Sequence, residues 1–321
     1  MADRGASPAG GAGEVPGCAG LAADLVRARP LASWRARCSA WTCAWCWAWC
    51  FVPCSVGALT AGGHGVAAAE EAVDRDRITQ VSVIKALLLG RFDGTVPLAE
   101  LLTDGDFGLG TLDRLDGELV VLDGRGFQIK SDGAVSEVPP EATIPWAMIT
   151  CFDRDGALPC PATGSLVELE RGLDAAVGHP NNFVALRIEA DVAAITLRSV
   201  HAQARPYRPI DSRSDFQSVW KREGLRGTFV GIRSPRWADG VTVPGYHWHF
   251  LAADRLSGGH VLECSLRGGT IHYDVCGGWL VKLEESPAFD GVNLSADVRE
   301  ELDRIERLRG PPVLPATQAD P

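Results

Sequence analysis

Hydrophobic positions recur with a clear period along most of the chain after about residue 78, and three segments have the helical period. The segment ITQVSVIKALLLGRF (78–92) has apolar residues at helical spacing and a glycine near its end, which predicts a helix. The segment GSLVELERGLDAAV (164–177) predicts a second helix. SADVREELDRIERL (295–308) predicts an amphipathic helix with Ser295 as its N-cap.

Other segments alternate with period two or carry tight-turn signals, which predicts strands. ELVVLDGRGFQIKSDGAVSEV (118–138) predicts strands joined at LDGRG and KSDGA, and TIPWAMITCFD (143–153) predicts another. NNFVALRIEADVAAITLRSV (181–200) predicts two strands around EAD. Because strands outnumber helices and follow one another through short turns, we expect an α+β fold. It should have two mixed or antiparallel β-sheet subdomains with flanking helices.

Composition divides the 321 residues into four parts. Hydrophobic residues make up 46% and charged residues 22%, which is typical of a globular protein. We expect an extension at 1–69, an N-terminal α+β half at 70–185, a C-terminal half at 186–309, and a flexible tail rich in Pro and Ala at 310–321.

The extension has the layout of an export signal. Residues 38–69 contain no Asp, Glu, Lys or Arg; the basic RARPLASWRAR precedes them, and GVAAAEE ends them with small residues. This pattern predicts cleavage near Ala69 and a periplasmic or extracellular protein. The alternative is an uncleaved anchor that contacts the membrane through residues 38–61. If the extension is not a signal, the protein is cytoplasmic.

The charge distribution argues against one class of partner. Residues 1–69 carry a net charge of +2 and the remaining residues −12. An acidic body without a basic stripe is not typical of nucleic-acid binding. A small-molecule substrate is the partner that the sequence favours.

Three of the seven histidines lie in GYHWHFLAADRLSGGH (245–260). On a strand, alternation places His247 and His249 on the same face. A tight turn centred on Asp254 and Arg255 would then place His260 directly across from His249, with the Cβ atoms ~5 Å apart. Three imidazoles would therefore converge on one face of a hairpin.

Such a cluster is typical of a catalytic zinc site. Three neutral nitrogen ligands leave a zinc-like ion its full charge and at least one open coordination position, whereas structural zinc sites more often have four ligands that include thiolates. The alternative is three polar residues on a solvent-facing sheet.

The segments GDFGLGTLDRLDGELVVLDG (105–124), TLRSVHAQARPYRPI (196–210) and GYHWHFLAADRLSGGH resemble the signature segments of bacterial α-acetolactate decarboxylases. The resemblance runs from about Ile78 to Leu308, in the same order. It implies Zn²⁺ bound by His247, His249 and His260, between the two sheet subdomains. It also implies conversion of 2-acetolactate to (R)-acetoin and carbon dioxide, in acetoin and butanediol biosynthesis, by a homodimer.

The resemblance also implies a mechanism and further site residues. The metal would chelate the ketone and hydroxyl oxygens of the substrate and stabilise an enediolate. Arg198 would orient the departing carboxylate, and one of Glu118 and Glu306 would deliver a proton. Thr111 matches a hydroxyl that lines the pocket. The structural alternatives are an exposed ion pair for Arg198, a solvated helix face for Glu306 and closure of a turn for Thr111.

Two other functions would also use these histidines. A cupin-type metal-dependent oxygenase or isomerase has a His-x-His pair on a strand, but a Glu normally follows the pair, where this chain has Asp254 in a predicted turn. A non-catalytic zinc-binding protein of the cell envelope would explain the histidines and the export. It would not explain Arg198, Glu118 and GDFGLG together.

Overall fold

Two β-sheets dominate the part of the chain that the computed structural model describes, residues 75–210 and 216–307. The predicted export signal with its cleavage point, and the predicted tail, lie outside these residues. Within the described ranges, no helix combines the length and the apolar character that crossing a bilayer requires.

Strands outnumber helices in the described part of the chain, as the sequence predicts. In chain order the elements are β1 (Arg77–Val81), α1 (Ile84–Leu88), β2 (Val96–Pro97), α2 (Leu98–Leu101), β3 (Phe107–Thr111), β4 (Glu118–Leu122), β5 (Arg125–Ile129), β6 (Val135–Glu137), β7 (Thr143–Ile144), β8 (Trp146–Thr150), β9 (Gly156–Cys160), α3 (Leu166–Val177), β10 (Phe183–Val200), β11 (Gln217–Ser234), β12 (Gly245–Ala252), β13 (Gly258–Cys276), β14 (Gly278–Lys282), α4 (Pro287–Asp290) and α5 (Arg299–Arg307).

The first sheet has seven strands in the order β14-β1-β8-β3-β4-β5-β6. Its neighbours are antiparallel except for the parallel pair β14 and β1, so the sheet is mixed. All residues of β3, β4 and β8 are buried, which shows that both faces of the sheet centre are covered. Such strands read as apolar runs rather than as alternating patterns.

The second sheet closes on itself. Its order is β10-β11-β12-β13-β9, and β10 also pairs with β13, so β10 to β13 form a barrel to which β9 adds one strand. The additional pairing of β10 with β13 removes one of the exposed edges that an open sheet would present. Helix α3 covers this sheet with Leu169, Leu173 and Val177, and Ser165 caps its N-terminus by accepting a hydrogen bond from the backbone N–H of Glu168.

The helix expected over 78–92 is wrong in its first part, where the chain forms strand β1, and α1 begins only at Ile84. β1 lies between β14 and β8, and Ile78 and Val81 are both buried. Because apolar residues occur on both faces of such a strand, their spacing resembles that of a buried helix.

The two strands expected around EAD are a single strand, β10. Both edges of β10 are paired at Glu189, Ala190 and Asp191, and the register with β13 shifts after Asp191. The polar interruption in the sequence therefore marks an irregularity of the bulge type and not a turn.

The expected halves do not coincide with the two sheets. The boundary between residues 185 and 186 falls inside β10, while β9 joins the second sheet and β14 joins the first. Helix α5 begins at Arg299, so Ser295 is not its N-cap. The α+β class with mixed and antiparallel sheets is confirmed in its coarse form, since the described chain is mostly β-sheet with few helices.

Candidate metal centre and active site

The hairpin of β12 and β13 brings the three histidines together, as the sequence predicts. His249 and His260 are direct partners in the antiparallel ladder, and His247 lies two residues earlier on the same face. Their possible ligand atoms all lie within 4.8 Å of one another. All three side chains are buried, with His249 fully inaccessible. This geometry excludes the alternative of polar side chains on a solvent-facing sheet.

Two of the three rings are oriented by backbone carbonyl groups. Nδ1 of His249 donates to the carbonyl oxygen of Leu119 at 2.7 Å, and Nε2 of His260 donates to the carbonyl oxygen of Glu306 at 3.1 Å. The remaining nitrogens, Nε2 of His249 and Nδ1 of His260, then keep free lone pairs. Such a hydrogen bond on the far nitrogen is typical of histidines that bind metals.

The free lone pairs face other electron-rich atoms. Nδ1 of His260 lies 3.2 Å from Nε2 of His247, and Nε2 of His249 lies 3.3 Å from Oε2 of Glu118. Nε2 of His249 has no hydrogen-bond partner among the described residues. A proton on Nε2 of His247 would make the first contact a hydrogen bond, whereas Nε2 of His249 is left without a donor in the part of the chain that the structure describes. A cation shared by the three nitrogens would use this unpaired atom as a ligand, so the donor set fits a divalent metal ion.

Arg198 joins both predicted glutamates to the histidine cluster. Its Nη1 lies 2.6 Å from Oε1 of Glu118 and its Nη2 lies 3.2 Å from Oε1 of Glu306. Arg198 lies directly opposite His260 in the ladder of β10 and β13. Arg198 is 3% exposed, which excludes the exposed ion pair considered from the sequence.

Glu306 approaches the cluster from α5 and Glu118 from the start of β4. Oε2 of Glu306 lies 3.6 Å from Nε2 of His247 and 3.5 Å from Nε2 of His260. The side chain of Glu306 is 9% exposed, so it does not belong to a solvated helix face. The cluster therefore combines residues from both sheets and from the last described helix.

Thr111 is the ladder neighbour of a cluster residue, but its hydroxyl group hydrogen-bonds to a backbone carbonyl group. Thr111 pairs with Glu118 in the ladder of β3 and β4, and its Oγ1 donates to the carbonyl oxygen of Gly117 at 2.7 Å. This bond closes the turn before β4, which is the structural alternative stated above. The pocket-lining role of Thr111 stays a prediction.

Burial raises the pKa of a carboxyl group in the cluster and lowers the pKa values of the three histidines. Burial raises the pKa of Glu118 to about 7, with Arg198 lowering the pKa and Glu306 raising it. Burial, followed by the Arg198 charge, lowers the pKa of His247 to about 3. The pKa values of His249 and His260 are also well below their usual range, chiefly because of burial. The imidazoles are thus neutral near pH 7, the form that binds metals.

The net charge of the cluster allows binding of a divalent cation, followed by binding of an anionic substrate. With Glu118 protonated, as its raised pKa favours, the charges of Arg198 and Glu306 cancel and the neutral histidines add nothing. A divalent cation would then give the site a net positive charge, which an anionic substrate would reduce. Buried charge needs such compensation because it is costly in a medium of low dielectric constant.

Sequence reasoning missed three contributors to the cluster. The carbonyl groups of Leu119 and Glu306 orient two rings, and Trp146 stacks on the ring of His247. A backbone carbonyl has no residue-type signature, so no sequence pattern could have revealed the first two. Trp146 lies in the predicted strand at 143–153, where an apolar residue is ordinary.

Comparisons with known proteins point to one family. The model of the alpha-acetolactate decarboxylase family matches residues 78–296, a range that includes the three histidines, Arg198 and Glu118. Glu306 lies beyond the matched range.

Similar curated proteins carry the same name. An alpha-acetolactate decarboxylase of Methanosarcina mazei is 39% identical over 72% of this chain and 81% of its own length. One of Methylococcus capsulatus is 38% identical over 71% of this chain and 88% of its own length. The crystal structure of alpha-acetolactate decarboxylase from Bacillus subtilis strain 168 superposes with a TM-score of 0.70 at 31% identity. That match covers 72% of this chain and 99% of the other.

Proposed function

The chain belongs to the alpha-acetolactate decarboxylase family, and from this premise we propose that it converts 2-acetolactate to (R)-acetoin and carbon dioxide with Zn²⁺ bound by His247, His249 and His260. Its relatives are named alpha-acetolactate decarboxylases, and enzymes of this kind are carboxy-lyases. Family membership favours this function over a cupin-type oxygenase and over a non-catalytic zinc-binding protein.

One observation carries the proposal: three neutral imidazoles, one guanidinium and two carboxyl groups meet in a single buried cluster. The ligand atoms in this proposal are Nε2 of His247, Nε2 of His249 and Nδ1 of His260. When bound, the cation would supply Lewis-acid chemistry for the oxygens of the substrate and for the negative charge that develops as carbon dioxide leaves.

Arg198 is the group that binds and orients the substrate carboxylate. A guanidinium carries five N–H groups, and the contacts with Glu118 and Glu306 use one on each terminal nitrogen. Nε of Arg198 has no hydrogen-bond partner among the described residues. The guanidinium can therefore bind a further anion without releasing either glutamate. Fixing the carboxylate also fixes the carbon–carbon bond that breaks.

Glu118 delivers the proton that completes the reaction. When the bond to the carboxylate carbon breaks, its electron pair stays with the hydroxyl-bearing carbon and the neighbouring ketone, and that carbon then takes up one proton. The carboxyl group of Glu118 contacts both His249 and Arg198, so it lies beside both the metal ligands and the anion-binding group. Delivery from one fixed side gives a single enantiomer. Glu306 contacts the other terminal nitrogen of Arg198, Nη2.

Two further properties remain proposals from the sequence. We propose export after cleavage near Ala69, and assembly as a homodimer. Sequencing the N-terminus of the protein isolated from its native cells tests the first, because a start near residue 70 is expected and a start at Met1 would contradict it. Light scattering of the purified protein tests the second, because a mass of two chains is expected.

The central test is an acetoin assay on the purified chain. We expect zinc-loaded protein to release acetoin from 2-acetolactate, a chelator to abolish the release, and added zinc to restore it. The substitution His249→Ala should remove zinc and activity together. His179→Asn is the matched control, since His179 is exposed and its left-handed φ of 53° is tolerated by asparagine. A zinc-loaded preparation without acetoin release would refute the proposal.

A further inference from the structure

One histidine of the cluster lacks the support that the other two have. His249 and His260 each donate from the far nitrogen to a backbone carbonyl. Nδ1 of His247 is buried and has no hydrogen-bond partner among the described residues. The torsion that turns an imidazole ring about its Cβ–Cγ bond has broad minima. A ring without a hydrogen bond on its far nitrogen therefore needs another contact to hold its orientation.

Trp146 provides such a contact for His247. The indole and imidazole rings are stacked, with centroids 5.4 Å apart and planes 16° apart. Trp146 is 2% exposed, and its Nε1 has no hydrogen-bond partner among the described residues. The indole is therefore not held in place by a hydrogen bond of its own. Its flat face lies against the ring of His247.

The stacked pair joins the two sheets at the metal centre. Trp146 begins β8 of the first sheet, whereas His247 lies on β12 of the second. Trp146 is also the ladder partner of Thr111, which in turn pairs with Glu118. The indole is thus fixed by its own strand, and its face limits how far the imidazole can turn.

We propose that Trp146 is a positioning residue that orients the imidazole of His247 for metal binding by ring stacking. This inference rests on the proposed metal site. Loss of an outer contact that orients a metal ligand typically weakens metal affinity by about 10–100-fold. Stacking of this kind depends on an aromatic face, so a smaller ring should preserve part of the effect and an aliphatic side chain should not.

The experiment compares two core aromatic residues on neighbouring strands. Trp146→Leu removes the stacked ring, and Phe107→Leu is the matched control. Phe107 lies on β3, four positions along the ladder from Trp146, is 1% exposed and packs on Phe152 instead of on a histidine. Zinc affinity is measured by competition with a chromophoric chelator, and ligand geometry by the absorption spectrum of the cobalt-substituted protein.

We expect Trp146→Leu to weaken zinc binding by about 10-fold or more and to alter the cobalt spectrum. Phe107→Leu should lower only the free energy of unfolding. Trp146→Phe, which keeps a smaller aromatic face, should have an affinity between those of the wild type and Trp146→Leu. If Trp146→Leu does not fold, Trp146→Phe decides alone: weaker zinc binding than in Phe107→Leu supports the inference, and equal binding overturns it.

Failure of this inference can be told apart from failure of the proposed function. If wild-type protein binds zinc and releases acetoin while Trp146→Leu has the same affinity and spectrum, only the role of Trp146 is refuted. The same conclusion follows if Phe107→Leu is as impaired as Trp146→Leu. If wild-type protein binds no metal at this site, both are refuted.

Discussion

At the scale of single residues, the chemistry depends on how burial sets the charge of each group in the cluster. The imidazoles are held neutral because desolvation opposes their protonated forms, and neutral imidazole is the metal-binding form. Desolvation raises the pKa of Glu118 in spite of the neighbouring guanidinium of Arg198. In the proposed mechanism, the same burial therefore prepares the metal ligands and the carboxyl group that carries the proton.

The substitution Glu118→Gln tests that assignment. The amide has nearly the size of the carboxyl group and can still accept a hydrogen bond from Arg198, but it cannot deliver a proton. We expect kcat to fall by about 10²-fold or more while the zinc content stays at one ion per chain. Steady-state kinetics and metal analysis measure both quantities.

Glu137→Gln is the control for this substitution, since Glu137 forms an exposed ion pair with Arg125 on the first sheet. It should leave kcat unchanged. A near-normal kcat for Glu118→Gln would show that Glu118 does not carry the proton.

At the scale of elements, the hairpin of β12 and β13 is the unit that builds the site. Gly259 precedes His260, has a φ of +136°, and approaches β10 so closely that a Cβ atom would lie 2.6 Å from the carbonyl oxygen of Arg198. Only glycine permits this conformation and this contact without strain. The close approach keeps His260 and Arg198 in register.

We therefore expect Gly259→Ala to separate β13 from β10 beside the cluster. The free energy of unfolding should fall by at least ~1 kcal/mol, because both the backbone angle and the space disfavour a side chain. Zinc affinity should fall as well. Gly277→Ala is the matched control, since a Cβ atom at Gly277 has no neighbour within 4 Å. Equal urea midpoints and zinc affinities for the two variants would contradict this account.

The hairpin was predictable from local sequence signals, whereas the other charged residues of the cluster were assigned only through the family resemblance. Alternation in β12 and the turn around Asp254 and Arg255 are local signals, so the pairing of His249 with His260 could be inferred from a stretch of sixteen residues. The continuity of β10 could not, because it depends on pairing with β11 and β13 on both edges.

The other contributors to the cluster lie far from the histidines in sequence, so local patterns could not predict them. The carbonyl group of Leu119 is 130 positions from His249, and that of Glu306 is 46 from His260. Arg198 and Glu118 were assigned through the family resemblance, because an isolated Arg or Glu on a strand carries no local signature. The fold brings both residues into the histidine cluster.

At the scale of the whole molecule, a buried carboxyl group outside the cluster should make the free energy of unfolding depend on pH. Asp274 on β13 is 1% exposed, and its Oδ1 has no hydrogen-bond partner among the described residues. Burial raises its pKa from 3.8 to about 7, with Asp155, Asp76 and Asp153 adding to the effect and a backbone N–H of Asp153 opposing it. The folded protein therefore holds this proton more tightly than the unfolded chain does.

The sign of the pH dependence follows from that difference. The stability that Asp274 contributes is fully present below about pH 4 and is lost as the pH rises to about 7. Asp274→Asn cannot ionise, so relative to the wild type it should gain roughly 1–3 kcal/mol of unfolding free energy between pH 4 and pH 8. Urea denaturation at both pH values, with chelator present, measures the gain.

The exposed residue Asp303 provides the control through Asp303→Asn, which should show no comparable gain. The same pH dependence in Asp274→Asn and in the wild type would show that Asp274 does not retain its proton in the folded state.

The proposed function depends on His247, His249 and His260 binding one divalent cation beside Arg198 and Glu118. Anomalous diffraction at the zinc absorption edge, from crystals of the zinc-loaded protein, would locate that ion. We expect one strong peak about 2.0–2.1 Å from Nε2 of His247, Nε2 of His249 and Nδ1 of His260. A fully loaded crystal without a peak at these nitrogens, or with its zinc bound by other residues, would contradict it.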